Sequence, residues 1–104
     1  MKLDLSTVKV VEYHHGFTIR IMMPDGSGNY LHTGRHDLES ILVIRSLILD
    51  QEIYEQQISI VKDEDYYRLN LLVEDCNNDK YQFHSRKLNL NDVVFERDQL
   101  LMDY

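Results

Sequence analysis

The 104-residue chain has one cysteine, one proline, four glycines and no tryptophan, and each scarcity excludes something. The single cysteine, Cys76, lies in the polar stretch 74–80. It allows no internal disulfide, so the fold must rest on a packed core and a reducing compartment suits it. No His or Lys adjoins it in sequence to lower its pKa, so a reactive thiol is not the expected role. The longest apolar stretches, 41–44 and 47–49, are interrupted by Arg45 and Ser46 and fall far short of the ~20 residues a bilayer crossing needs. The opening MKLDLSTVKV has no apolar h-region and no small-residue cleavage site, so no signal or transit peptide is expected and the expected location is cytoplasmic. No G-x-S-x-G, Walker or dinucleotide-binding pattern occurs, and Asp25-Gly26-Ser27-Gly28 reads as a turn rather than a phosphate cradle. No reaction is named by these residues, and no cofactor is expected.

What is present describes an ordinary folded domain. Hydrophobic residues make up 43% and charged residues 28%, close to soluble globular averages. The length fits one domain spanning 1–104. The net charge of −7 is unevenly placed: 1–49 and 80–104 each balance, whereas 50–79 holds nine acids against Lys62 and Arg68 alone. A local field of that sign repels nucleic acid and anionic lipid and attracts a basic protein.

Hydrophobic periodicity gives an α+β chain in the order β-β-β-α-β-β-β-α, an antiparallel sheet of five to six strands with a long helix on one face and a short C-terminal helix. Strands are expected at 7–13, 16–23, 29–33, 57–62, 66–73 and 80–85. Phe17, Ile19, Ile21 and Met23 alternate with polar positions, and Tyr67, Leu69, Leu71 and Val73 face away from Tyr66, Arg68, Asn70 and Leu72. The main helix is expected from Asp37, its N-cap, to about Glu55, and a second from Asn91 to Met102 after an Asn cap. The two βββα halves share their order, but no residue-level repeat is evident and no duplication is inferred.

Antiparallel order puts the end of the main helix, the start of the fourth strand and the 74–79 loop at one end of the sheet. Asp50, Glu52, Glu55, Glu74, Asp75 and Asp79 are therefore expected to form an acidic rim with Tyr54 beside it, about 20 Å from Asp63–Asp65. Acids at a helix C-terminus oppose the macrodipole, a local cost that suggests selection for another purpose. Solvated loops are the plain alternative. Asp75, Asn77 and Asp79 alternate like a calcium loop, but the required Gly and terminal Glu are missing.

Five histidines are many for this length. Hairpin order places His36 near Gly16 and His32 opposite Arg20, so His14, His15, His32, His36 and Asp37 could share a neighbourhood suited to a metal or to acid–base chemistry. The motif is incomplete: Gly34 interrupts the His32–His36 spacing, and no Cys or Glu completes a zinc pattern. His84 is expected to point opposite Tyr81 and Phe83.

In size and charge the chain is similar to small acidic antagonists, such as immunity proteins that block basic nuclease toxins and phage proteins that block host defence. That similarity carries no motif and transfers no residue role. The leading expectation is a protein-binding module, an inhibitor that occupies a basic surface or cleft of a partner through the acidic rim. The alternatives are a metal- or His-dependent enzyme using the histidine cluster, and a homo-oligomeric subunit such as a homodimer, pairing through Met22, Leu72 and Tyr66 on the second sheet face.

Overall fold

A computed structural model describes residues 2–103. Six strands form one antiparallel sheet: β1 (Val8–Tyr13), β2 (Gly16–Met22), β3 (Tyr30–His32), β4 (Ile58–Asp63), β5 (Tyr66–Glu74) and β6 (Lys80–His84), in the spatial order β1-β2-β3-β6-β5-β4. Helix α1 (Leu38–Asp50) links β3 to β4, and α2 (Leu90–Asp103) follows β6. The β1–β2 hairpin turns on His14 and His15, both in the left-handed region at φ 49° and 65°. A two-residue hairpin loop whose twist matches the strands demands that conformation at both positions, and His adopts it more readily than most side chains.

Period-2 alternation assigns the faces. Ile19, Ile21, Leu31, Phe83, Leu69, Leu71 and Val73 are buried on one face with Ile41, Ile44 and Ile48 of α1 and Val93 and Leu100 of α2 in a single core. The opposite face carries no helix. Along its middle, the register sets Lys9, Arg20, His32, His84, Asn70 and Ser59 in one row across all six strands. Each fully buried aliphatic contributes about 1.5–3 kcal/mol, so the sheet–helix layer carries the stability.

No residue-level repeat is evident in the sequence, but the strand order β1-β2-β3-β6-β5-β4 sets two similar βββα units on either side of the antiparallel His32–His84 pair. The isolated bridge Phe17–His36 recurs as Tyr67–Leu88. Ile19 N donates to Thr33 Oγ1 at 3.1 Å, as Leu69 N donates to Ser85 Oγ at 2.9 Å. Asp37 caps α1 by accepting from Ser40 N at 2.7 Å, and Asn89 caps α2 by accepting from Asp92 N at 2.8 Å. Ahead of the first strand of each unit lies a buried aliphatic, Leu3 or Ile53, followed by a single tight turn. His32/His84, Val11/Val61, Leu38/Leu90, Arg45/Arg97 and Leu49/Leu101 are identical pairs on this alignment. The spacing shifts by two residues within each unit because the β5–β6 hairpin is two residues longer between Leu72 and Gln82 than the β2–β3 hairpin is between the equivalent Met22 and Tyr30, which hides the repeat from a fixed-period comparison.

Two helix boundaries differ from the periodic pattern. α1 ends at Asp50 rather than near Glu55. Its buried stripe is Ile41, Ile44 and Ile48, and the next positions on that stripe are the polar Gln51 and Glu52. The chain leaves the helix at an extended Gln51, whose amide donates back to Leu47 O at 3.3 Å, while Lys2 Nζ donates to Asp50 O at 3.2 Å. Lys2 thereby supplies the cation that the last turn itself lacks. Ile53 then inserts into the core, and a 3-10 turn at Glu55–Gln57 leads into β4, with Gln57 Nε2 donating to Leu72 O at 3.1 Å. At the other boundary, α2 begins at Leu90, one residue before the expected start.

The units also differ inside the core. Where α1 buries Ile44, α2 buries Glu96, only 4% exposed. Its Oε1 accepts from Asn29 Nδ2 at 2.8 Å, and among the described residues its Oε2 has no hydrogen-bonding partner. Burial, reinforced by the neighbouring Asp25 carboxyl, pushes the Glu96 carboxyl above the ordinary glutamate range. The folded state therefore holds this proton more tightly than the unfolded chain. The associated stability is present below the unfolded pKa and is lost as pH rises through the folded one. Glu96→Gln, which keeps the shape and the Asn29 contact, is expected to unfold at a higher temperature than wild type at neutral pH and to show less loss between mildly acidic and neutral pH. Parallel melting-temperature profiles for the two proteins would contradict this assignment.

Candidate functional site

The acidic rim assembles from three separate segments. Glu74 ends β5, Glu55 opens the 3-10 turn before β4, and the β4–β5 register of Ile58 with Leu71 carries both toward the same end of the sheet. Gln51, between Asp50 and Glu52, lines one cavity with Gln56, Gln57, Leu72 and Glu74, which draws the helix end to the same place. Tyr54 stands beside them, 57% exposed. Asp75 organises the β5–β6 loop: its Oδ1 accepts from Asn77 N at 2.8 Å and Asp79 N at 2.9 Å, and Tyr81 OH lies 3.4 Å from Oδ2. Partial burial and the charges of Asp75 and Asp79 push the Tyr81 hydroxyl above its ordinary range.

The acids at the two ends of β4 and β5 are treated differently. At the β4–β5 turn, Asp63 pairs with Arg68 at 2.8 Å and Glu64 with Lys87 at 3.8 Å. The Arg68 hydrogen bond holds the Asp63 carboxyl below the usual aspartate range. At the rim, Asp50, Glu55, Glu74, Asp75 and Asp79 have no side-chain ion pair among the described residues. Lys80 stands opposite Glu74 in the register, and Lys2 reaches the Asp50 backbone. The rim thus keeps a net negative charge.

The histidines are spread out. His36 is held by backbone bonds to Phe17 at 2.8 and 2.9 Å and lies beside α1, close to Glu39 and Ser40. Asp37 spends its carboxylate on the α1 cap, which with the nearby His36 lowers its pKa. His14 and His15 form the exposed hairpin turn. His32 lies on the helix-free face opposite Arg20, as expected, and its ring meets His84 edge to face at 4.6 Å. Burial, then His32 and Arg68, lower the His84 pKa. Among the described residues no group of three or more His, Cys, Asp or Glu stands in position to hold a metal ion. The histidine turn and the acidic rim lie at the same end of the sheet, on opposite flanks. The pairing of His32 with His84 is a feature the sequence reading did not anticipate; the recurrence of His before a small hydroxyl residue, His32-Thr33 and His84-Ser85, was its only signal.

Met22 and Leu72 occupy equivalent positions of the two units and sit at diagonal corners of the helix-free face, with the Arg20, His32, His84 and Asn70 row between them. With Tyr66 they do not form one apolar patch. No described helix is long and apolar enough to cross a membrane. Comparison with protein-family models, curated proteins and solved structures returns no match to this chain.

The rim residues divide into those the fold uses and those it does not. Asp75→Ala is expected to lower unfolding free energy by about 1–2 kcal/mol through lost loop hydrogen bonds. Asp79→Asn should change it by less than about 0.5 kcal/mol. Urea denaturation distinguishes the two, and equal losses would contradict this division.

Proposed function

We propose that the chain is a protein-binding module that occupies a basic surface or cleft of a partner protein, in the manner of an inhibitor or immunity-type antagonist, within a reducing, cytoplasmic setting. The observation that carries the reading is the contrast between the two ends of β4 and β5. Asp63 and Glu64 at the turn are ion-paired within the chain, whereas among the described residues Asp50, Glu55, Glu74, Asp75 and Asp79 have no such pair. Like charges held together raise the electrostatic energy of the free protein, and a cationic partner relieves it. Tyr54 supplies exposed amphipathic area beside the charge.

The chemistry sets the form of the interaction. Carboxylates on a hydrogen-bonded loop and at the ends of secondary-structure elements lose little side-chain freedom on docking, and the rim charge speeds encounter more than it deepens affinity. Pairing with Arg or Lys of the partner forms charge-assisted hydrogen bonds. The reading needs no covalent step and no cofactor.

The test is native mass spectrometry of the chain recovered gently from its own cells, at low and at raised salt, beside the variant Asp50→Asn, Glu55→Gln, Glu74→Gln, Asp79→Asn. The wild type is expected to carry a stoichiometric basic protein that dissociates as salt rises, and the variant to be recovered bare. A bare wild-type chain at low salt, or a variant that retains the same partner, would overturn the reading.

A further inference from the structure

The helix-free face of the first βββα unit holds a cavity of about 420 Å³ whose lining includes Tyr13, Thr18, Arg20, Tyr30, His32 and Arg35, and no carboxylate. In a chain of net charge −7, such a concentration of cationic side chains without an acid calls for a physical reason.

The two units share a framework, so each serves as a control for the other. In the second unit, Arg68 stands where the first has Thr18, and Asp63 stands where the first has Tyr13. There Arg68 Nε donates to Asp63 at 2.8 Å and Nη1 donates to Ser85 O at 2.9 Å, so the cation is satisfied within the chain. In the first unit the internal acid is replaced by the Tyr13 ring, and Thr18 leaves the space open. Two other guanidinium groups border it.

Arg20 lies with its guanidinium carbon 4.5 Å from the Tyr30 ring centroid. Among the described residues it has no carboxylate or hydrogen-bond acceptor for its N–H groups. The second guanidinium is held in place. A Cβ on Gly16 would come within 2.2 Å of Arg35 Cγ, so the glycine is what lets the arginine stem lie across β2. Arg35 Nη1 then donates to His14 O at 2.7 Å, an acceptor presented by the left-handed His14–His15 turn. One contact fixes the fork and leaves other donors for a ligand. Both arginines line the one cavity, guanidinium forks suit the oxygens of a phosphate, and tyrosine rings offer stacking area to a flat ring. The volume falls in the range of about 300–1,000 Å³ typical of small-molecule sites.

We infer that this cavity is a binding site for a small monophosphate bearing a planar ring, of nucleoside-monophosphate size, with Arg20 and Arg35 holding the phosphate and Tyr13, Tyr30 and His32 bordering the ring. The site is separate from the acidic rim and stands or falls independently of it.

The experiment is titration of the whole chain with adenosine monophosphate, followed by calorimetry and by NMR of the His32 and Tyr30 signals, with adenosine and inorganic phosphate as comparison probes. The monophosphate is expected to bind with a Kd of about 1 mM or tighter, and each comparison probe about tenfold or more weakly. Arg20→Gln and Arg35→Gln are each expected to weaken binding about tenfold with little change in thermal unfolding. If either variant fails to fold, Arg20→Lys and Arg35→Lys keep the charge and most of the stem while removing the fork, and are still expected to weaken binding. Absence of monophosphate binding, inorganic phosphate binding as tightly as the monophosphate, or binding unaffected by changes at both arginines would overturn the inference.

Discussion

The architecture depends on one joint. β3 and β6 meet through the single registered pair His32–His84, and through it two three-stranded sheets become one six-stranded sheet. Without that joint, neither βββα unit could use its neighbour to complete the core, because Leu31 and Phe83, fully buried on either side of it, would lose neighbours across it. Three strands and one helix bury too little apolar surface to be stable readily on their own. The pairing is short, so the joint relies on the continuous apolar face beneath it and on the matched hydroxyls of Thr33 and Ser85, which tie β3 and β6 back to β2 and β5.

Near-symmetry gives the departures their meaning. Positions that hold the core are matched in kind: Ile19 with Leu69, Ile21 with Leu71, Ile41 with Val93, Ile48 with Leu100. One core position breaks the match, and the other mismatches lie outside the core. Glu96 replaces an isoleucine and reaches the β2–β3 loop of the other unit, adding a polar tie that Arg86 extends by donating to Asn29 Oδ1 at 2.9 Å. The Arg68–Asp63 pair closes a space that Thr18 and Tyr13 leave open. The β5–β6 loop carries Glu74, Asp75 and Asp79 where the β2–β3 loop carries Pro24, Asp25 and glycines. Two units with one core have thus acquired opposite surface chemistry, cationic on the first unit's open face and anionic at the second unit's rim.

Much of this was legible in the sequence. Strand alternation fixed which residues face the helices, and the opposition of His32 and Arg20 followed from the turn positions. The location of the rim followed from antiparallel order, since loop ends are set by strand count alone. The C-terminal limit of α1 was not legible, because Ile53 fits a helical tally while belonging to the next segment. The repeat was hidden by the changed hairpin length and by substitutions such as Ile44 to Glu96 that preserve place but not type. The cavity was invisible for another reason: Thr18, Arg35 and Gly16 become neighbours only through the Phe17–His36 bridge, and the significance of Gly16 is steric rather than conformational.

If the rim acts through its charge on a cationic partner, the association rate must depend on ionic strength. Electrostatic steering gives a rate that falls steeply as salt rises and a shallower dependence once the rim is neutralised. A steep wild-type slope is expected, flattening on neutralisation of Asp50, Glu55, Glu74 and Asp79. A wild-type rate indifferent to salt, or a neutralised rim with the same slope, would contradict it.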